Sequence, residues 1–308
     1  MKRPSIQPGF ALLMALLLVL LAGVALAGAA RRSLITALNA RDAARDLQRR
    51  WAVRSCRATL LGHAERLLDE AERGRGDAGG LSDTHKNAPK IHRAVACRLA
   101  GTDYELVLTD EQAKLNVNVL LEDEGRARAR SVVSRLVSGD DAGGRRPAEV
   151  RFRTLAVRRA AKTDGFLPEQ GAYGQIFDGA TPGQLVGAGR APGLTETVTC
   201  WGDGKVNVRR APDAVLKQVC EKTLTRQNLR YLLEARKRNP YVPLSGMLAE
   251  VHPKQREKVY GLLTDRSSCH GLWVIAHGPQ RSWYTFAVNV GDAAEGTADG
   301  AGRQAFQV

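Results

Sequence analysis

The sequence predicts an α+β protein: one long N-terminal helix laid on an antiparallel sheet, with an inserted all-α block. Three observations predict it. An uncharged apolar run, Phe10–Ala30, continues into a Gly- and Pro-free amphipathic stretch. Two pairs of β-patterned segments, one early and one near the C-terminus, each read as a hairpin. Between them lies a series of short helical segments separated by prolines and capping residues.

The N-terminus is MKRPSIQPGF, followed by apolar residues to Ala30 and then Arg31 and Arg32. At about 1.5 Å per residue the run covers roughly 30 Å, the thickness of a bilayer's hydrocarbon core. Three origins fit such a segment. A cleaved secretory signal would use Ala25-Leu26-Ala27, although the run exceeds the usual h-region. A plain signal anchor needs only the length. A third reading rests on Pro8-Gly9-Phe10, where a short polar leader ends in Gly and Phe opens the helix. Beyond Ala30, Leu34, Ala37, Leu38, Ala44, Leu47 and Trp51 recur at three- and four-residue steps, which predicts one apolar face. Arg41, Asp42, Arg45, Asp46, Arg49 and Arg50 fill the other positions. Gly74-Arg75-Gly76 and Gly79-Gly80 close the pattern, so the helix is expected to run to about Arg73, roughly 95 Å from Phe10.

The chain has 308 residues, a formal net charge of +14 from 46 Lys and Arg against 32 acids, and only 5 % aromatics. The basic excess is spread along the chain rather than gathered in a stripe, so nucleic acid is not the expected partner. Lys2 and Arg3 precede the apolar run while Arg31, Arg32, Arg41 and Arg45 follow it. That bias by itself favours a cytoplasmic body. The five cysteines, Cys56, Cys97, Cys200, Cys220 and Cys269, contain no C-x-x-C, which removes zinc-ribbon and thioredoxin-type readings. In an oxidising compartment Cys56, on the helix, and Cys97, on a predicted strand, are the expected disulfide pair. Buried free thiols are the alternative.

Arg93–Leu99 and Asp103–Thr109 form the first hairpin. Asp110-Glu111-Gln112-Ala113-Lys114-Leu115-Asn116-Val117-Asn118 follows it, and Trp201-Gly202-Asp203-Gly204-Lys205-Val206-Asn207-Val208-Arg209 repeats its wording of Lys, apolar, Asn, Val. Both read as strand-to-helix corners, because Asn and Asp side chains bond nearby backbone amides at turns and caps. Their expected role is shaping backbone, not catalysis. Leu120–Val137 reads as a helix with acids early and arginines late. Gly139–Pro147 and Asp164–Leu194 read as loops. Pro212–Lys222, Arg226–Arg238, Leu244–Val251 and Lys254–Leu263 read as short helices. Leu272–His277 and Ser282–Val290 form the closing hairpin, and 291–308 is expected to be a flexible tail.

These residues together resemble the K-type minor pseudopilins of the type II secretion system. The resemblance covers nearly the whole chain: the Gly9-Phe10 leader junction, the spine, the hairpins, DEQAKLNVN and GDGKVNVRRAPDAVL. It departs at Arg209 and Arg210, where the family prefers Asn and Thr, and this puts the local turn bonds in doubt. The resemblance implies a prepilin leader (1–9) cut after Gly9 by prepilin peptidase, with methylation at Phe10. It implies a transmembrane helix (10–30), a spine helix (31–75), a pilin-like head (76–118 and 264–290) and an inserted helical domain (119–263). It also implies a single-pass inner-membrane protein with a periplasmic body, partnered by other minor pseudopilins at the filament tip. Met14 stands where most pilins carry Glu, an apolar choice the K-type members share. A carboxylate in lipid is costly without a partner. Ala15, Ala22, Gly23, Ala25, Ala27 and Gly28 permit close helix packing in the membrane. Relatives of this kind can hold calcium, for which Asp110, Glu111, Asp203 and Asp213 are the candidate ligands, although each also reads as an ordinary turn or cap residue.

No G-x-S-x-G, H-E-x-x-H or phosphate loop occurs, so no enzyme activity is expected. Cys269, His270 and His277 are the one candidate gathering of metal-type ligands. The alternative function is a membrane-anchored, basic nucleic-acid-binding protein whose helical block is similar to helix-hairpin-helix modules. Its connection Lys222–Gln227 lacks the Gly that lets backbone approach phosphate.

Overall fold

The computed structural model describes residues 8–73, 91–99, 101–138, 176–177, 180–187, 193–278, 281–290 and 302–307. Residues 1–7 of the expected leader, the glycine-rich close of the spine, the expected loop at 139–147 and most of 164–194 lie outside the described residues.

Helix α1 (Pro8–Leu60) is 53 residues long, then a 3-10 turn (Leu61–His63) leads directly into α2 (Ala64–Arg73). The chain divides into two compact units, 1–52 and 53–308. The first is helix throughout its described part. It is long and apolar enough to cross a membrane, with a mean hydropathy of 2.9 over its most apolar window, none of which is buried. Of the predicted stripe, Leu34, Leu38, Leu47 and Trp51 remain exposed. The stripe that is buried lies further along, at Cys56, Leu61, Ala64, Leu68 and Glu72. Periodicity reveals an apolar face but not which part of it is covered.

The second unit is built on a five-stranded antiparallel sheet of order β1-β2-β7-β8-β9. Its strands are β1 (His92–Leu99), β2 (Thr102–Asp110), β7 (Cys269–His277), β8 (Ser282–Val290) and β9 (Gly302–Gln307). Both predicted hairpins are present, and β7 lies between β2 and β8. The last strand corrects the expectation of a flexible tail for 302–307, since Phe306 stands opposite Phe286 and Ala305 opposite Ala287. The outer edge of β8 offers a row of backbone donors and acceptors, and strand pairing asks only for backbone.

Alternation divides the sheet's residues between two faces. Tyr104, Leu108, Leu272, Val274, Ala276 and Ala287 are buried on the same face as His270, whose ring meets Glu65 of α2. Asn289, also on this face, donates to the Leu61 carbonyl. The opposite face presents Val107, Trp273, Ile275, Phe286 and Val288 to a second core. That core is filled by α3 (Val117–Ser138), α4 (Pro182–Val186), α5 (Asp213–Cys220), α6 (Arg226–Arg238), α7 (Leu244–Met247) and α8 (Pro253–Leu262). Every residue of β7 except His277 is accordingly buried. One sheet thus separates a spine layer from a helical layer, the α+β class predicted.

Two finer differences have local causes. Gly125 adopts φ +74° and interrupts α3, a conformation open to glycine at little cost. Within the stretch predicted as a loop, Pro182–Val186 is helical. Thr181 and Gln184 bond each other's backbone amides as a capping box, with Pro182 at the first helical position.

Candidate functional site: the joined corner motifs

The two motifs meet beside the sheet. The first leaves β2 through a 3-10 turn (Glu111–Ala113) into β3 (Leu115–Asn116), and the second carries β5 (Val206–Asn207). β3 pairs in parallel with β4 (Val198–Thr199), just before the second motif, and β5 pairs in parallel with β6 (Leu263–Thr264). Each leading Asn turns its own chain. Asn116 Oδ1 accepts from the Asn118 amide at 3.0 Å, and Asn207 Oδ1 accepts from the Arg209 amide at 3.0 Å. The turn bond therefore survives the departure at Arg209.

The motifs also bond each other. Asn116 Nδ2 donates to the Trp201 carbonyl at 3.1 Å, and Asn118 Nδ2 to the Cys200 carbonyl at 2.9 Å. Gln112 Nε2 donates to Asp203 Oδ1 at 2.7 Å. Asn207 Nδ2 donates to Asp110 Oδ2 at 2.9 Å, and the same carboxylate accepts from the Ser267 hydroxyl and the Ala113 amide. Satisfying buried polar groups across two segments fixes their mutual position, since each unmade bond would cost a desolvation penalty.

The two lysines, alike in wording, differ in role. Lys114 is buried, with Nζ 2.6 Å from Glu111 Oε1, while Lys205 is exposed and contributes only its backbone amide, to Asp203 Oδ1 at 3.0 Å. Burial pushes the Glu111 carboxyl up, but Lys114 and the Thr109 and Thr199 hydroxyls outweigh it and hold the group below its ordinary value. Gly271 leaves room for this carboxylate: a Cβ there would lie 2.5 Å from Glu111 Oε1 and 2.8 Å from the Phe286 ring.

Arg209 and Arg210 extend the network to α2. The Arg210 guanidinium, with no exposed surface, meets Glu72 at 2.9 Å, Asp69 at 2.6 Å, Glu65 at 2.5 Å and Asp110 at 3.2 Å. Arg209 bonds Asp69 and Glu72 and lies 4.6 Å from the centre of the Tyr241 ring. His270 Nε2 stands 3.0 Å from Glu65. Burial pushes Glu65 up, yet the His270 bond and the Arg210 charge hold it down at about 2, from an ordinary 4.5. A carboxyl depressed on folding contributes stability that is full above its unfolded value and lost as pH falls through the folded one. Glu65→Gln is therefore expected to be less stable than the parent at pH 7, with the gap closing between about pH 4.5 and pH 2. Urea titrations across that range measure it, and a gap independent of pH would refute the assignment.

The remaining expected site residues are spread elsewhere. Gly9 and Phe10 lie in the first turn of α1, and Met14, Ala22, Gly23 and Gly28 occupy its exposed surface. A Cβ at Gly9, Gly23 or Gly28 would meet nothing within 4 Å. Cys56 is buried and Cys97 half-buried, and both carry free thiols. Burial raises the Cys200 and Cys269 thiols and holds Cys220 at about 12, so these are protonated groups, not poised nucleophiles. Cys269, His270 and His277 do not gather into one site. Alternation sends Cys269 and His270 to opposite faces, and His277 ends the strand seven residues further on. The calcium candidates do not converge either. Asp110 and Glu111 are satisfied by Arg210 and Lys114, Asp213 bonds Arg236, and Asp203 is held by Gln112. No group of three or more His, Cys, Asp or Glu able to hold a metal occurs among the described residues. What the site does physically is hold: it welds two corners and the end of the spine into one joint.

No family model matches the chain, and no curated protein matches it. Among solved structures it is similar to a chain of the GspK-GspI-GspJ complex from the enterotoxigenic Escherichia coli type 2 secretion system. The alignment covers 87 % of this chain and 99 % of that one, at 14 % sequence identity and a TM-score of 0.46.

Proposed function

We propose that the chain is a K-type minor pseudopilin that works by assembly: it initiates and caps a type II secretion pseudopilus and so serves protein export across the outer membrane. The observation that carries the reading is the Pro8-Gly9-Phe10 junction at the head of a helix unbroken from Pro8 to Leu60. In this reading prepilin peptidase cuts after Gly9 and Phe10 is methylated. Residues 10–30 stay in the inner membrane, and the body lies in the periplasm, the prepilin route overriding the arginine bias after the helix. The rods of other minor pseudopilins pack along the small residues Ala22, Gly23 and Gly28, where nothing on this chain stands in the way. The exposed Leu34, Leu38, Leu47 and Trp51 continue that contact above the membrane.

Replacing Gly9 with Trp tests it. The variant is expected to keep its leader, seen as a mature chain about 1 kDa heavier by intact mass, and to abolish export. Normal trimming together with normal export would overturn the reading. Nucleic-acid binding gains no support from the helical block: Arg236 is spent on Asp213 and Lys222 on Glu124, and the connection before α6 is capped by Thr225.

A further inference from the structure

Cys97 stands directly opposite Tyr104 in the β1–β2 ladder, and Tyr104 opposite Ala276. Directly paired residues of antiparallel strands share a face. Tyr104 and Ala276 are buried on the face that carries His270, the face that meets the end of the spine. Cys97 therefore points to the spine side from an edge strand. Cys56 is 8 % exposed and lies at the flank of the stripe formed by Leu61, Ala64 and Leu68, in the last turns of α1. Burial first, and then the charge of Cys97, push the Cys56 thiol above its ordinary value. The other three thiols are sealed away, and Cys97 is the one that solvent reaches.

We infer that Cys56 and Cys97 form a disulfide that staples the end of the spine helix to the edge strand β1. The bond rests on the periplasmic placement proposed above, since such bonds persist in oxidising compartments. A dithiol oxidase in its disulfide form is the oxidant. Cys97, being accessible, loses its proton to solvent and attacks one oxidant sulfur, giving a mixed disulfide. Cys56, deprotonated in turn, attacks Cys97 Sγ and displaces the oxidant's second thiolate. Two thiols lose two protons and two electrons, and the oxidant leaves as a dithiol. The bond closes a loop of about forty residues, which restricts the unfolded chain far more than the folded one.

The test uses the full chain in detergent, equilibrated with glutathione buffers from reducing to oxidising, then alkylated and mapped by peptide mass. The expected result is a single disulfide joining Cys56 and Cys97, with a Tm about 10 °C above that of the reduced chain. Cys97→Ser should remove the dependence of Tm on the buffer. Finding Cys56 and Cys97 both alkylated after denaturation of the oxidised sample would overturn the inference. Acid-trapped cells separate it from the reading beneath. A bond found there supports both, whereas a bond formed only in the purified chain supports the pairing and overturns the periplasmic placement.

Discussion

Arg210→Ala is expected to destabilise the second unit by about 3–5 kcal/mol, the range found when one member of a buried ion pair is removed. Its guanidinium has no exposed surface, and neither have the side chains of Glu72 and Asp110. Truncation would leave both carboxylates in a low dielectric with part of their counter-charge gone. Arg209 compensates only in part, because it reaches Asp69 and Glu72 but makes no bond to Asp110 or Glu65. Arg210→Lys keeps the charge yet loses the planar fork that serves four carboxylates at once, so an intermediate loss is expected. Urea unfolding of the detergent-solubilised chain, followed by the fluorescence of buried Trp201 and Trp273, measures both variants. A loss below about 1 kcal/mol for the alanine variant would mean that the cluster behaves like surface ion pairs.

Lys114→Met should bring a loss of similar size, with a different dependence on pH. In the parent, the Glu111 carboxyl is held below its ordinary 4.5, so it contributes stability above that value and loses it as pH falls. Without Lys114, the burial that pushes Glu111 up loses the largest of the influences that oppose it, while the Thr109 and Thr199 hydroxyls remain. Its folded pKa then rises above 4.5, and the penalty disappears as acid protonates the group. The stability gap between parent and variant is therefore widest near neutrality and narrows on acidification. The double variant Lys114→Met, Glu111→Leu removes both charges and should recover much of the loss. If the double variant were no better than the single one, packing volume and not charge would set the effect.

Much of this architecture can be read from residues alone, because its signals are local. Period-two alternation marks both hairpins, and α6 runs from Arg226 to Arg238 as the sequence suggests, ahead of Pro240. The corner motifs are legible as turns, since Asn116 and Asn207 act on amides two residues away. What is not local is missed. Arg209 and Arg210 look like departures from a family pattern because their partners stand some 140 positions earlier. A signal was nonetheless present: Glu65, Asp69 and Glu72 recur at four- and three-residue steps, one acidic face on an arginine-rich spine. The unequal fates of Lys114 and Lys205 carry no such signal, because identical wording does not report burial. The strand Gly302–Gln307 was hidden for another reason: its pairing is supplied by the free edge of β8, not by its own composition.

The reach of that arginine pair across the chain sets a timetable for maturation. Translation releases Glu65, Asp69 and Glu72 long before Arg209 and Arg210 exist, and contacts this distant in sequence form late because a long loop must close first. Until then the acidic turn of α2 stays hydrated and the segment bearing it is free to reorient, while the apolar rod ahead of it is already complete. Formation of the apolar helix is thereby uncoupled in time from locking of the second unit. A nascent chain stalled before residue 209 would have its apolar helix complete and its joint still open.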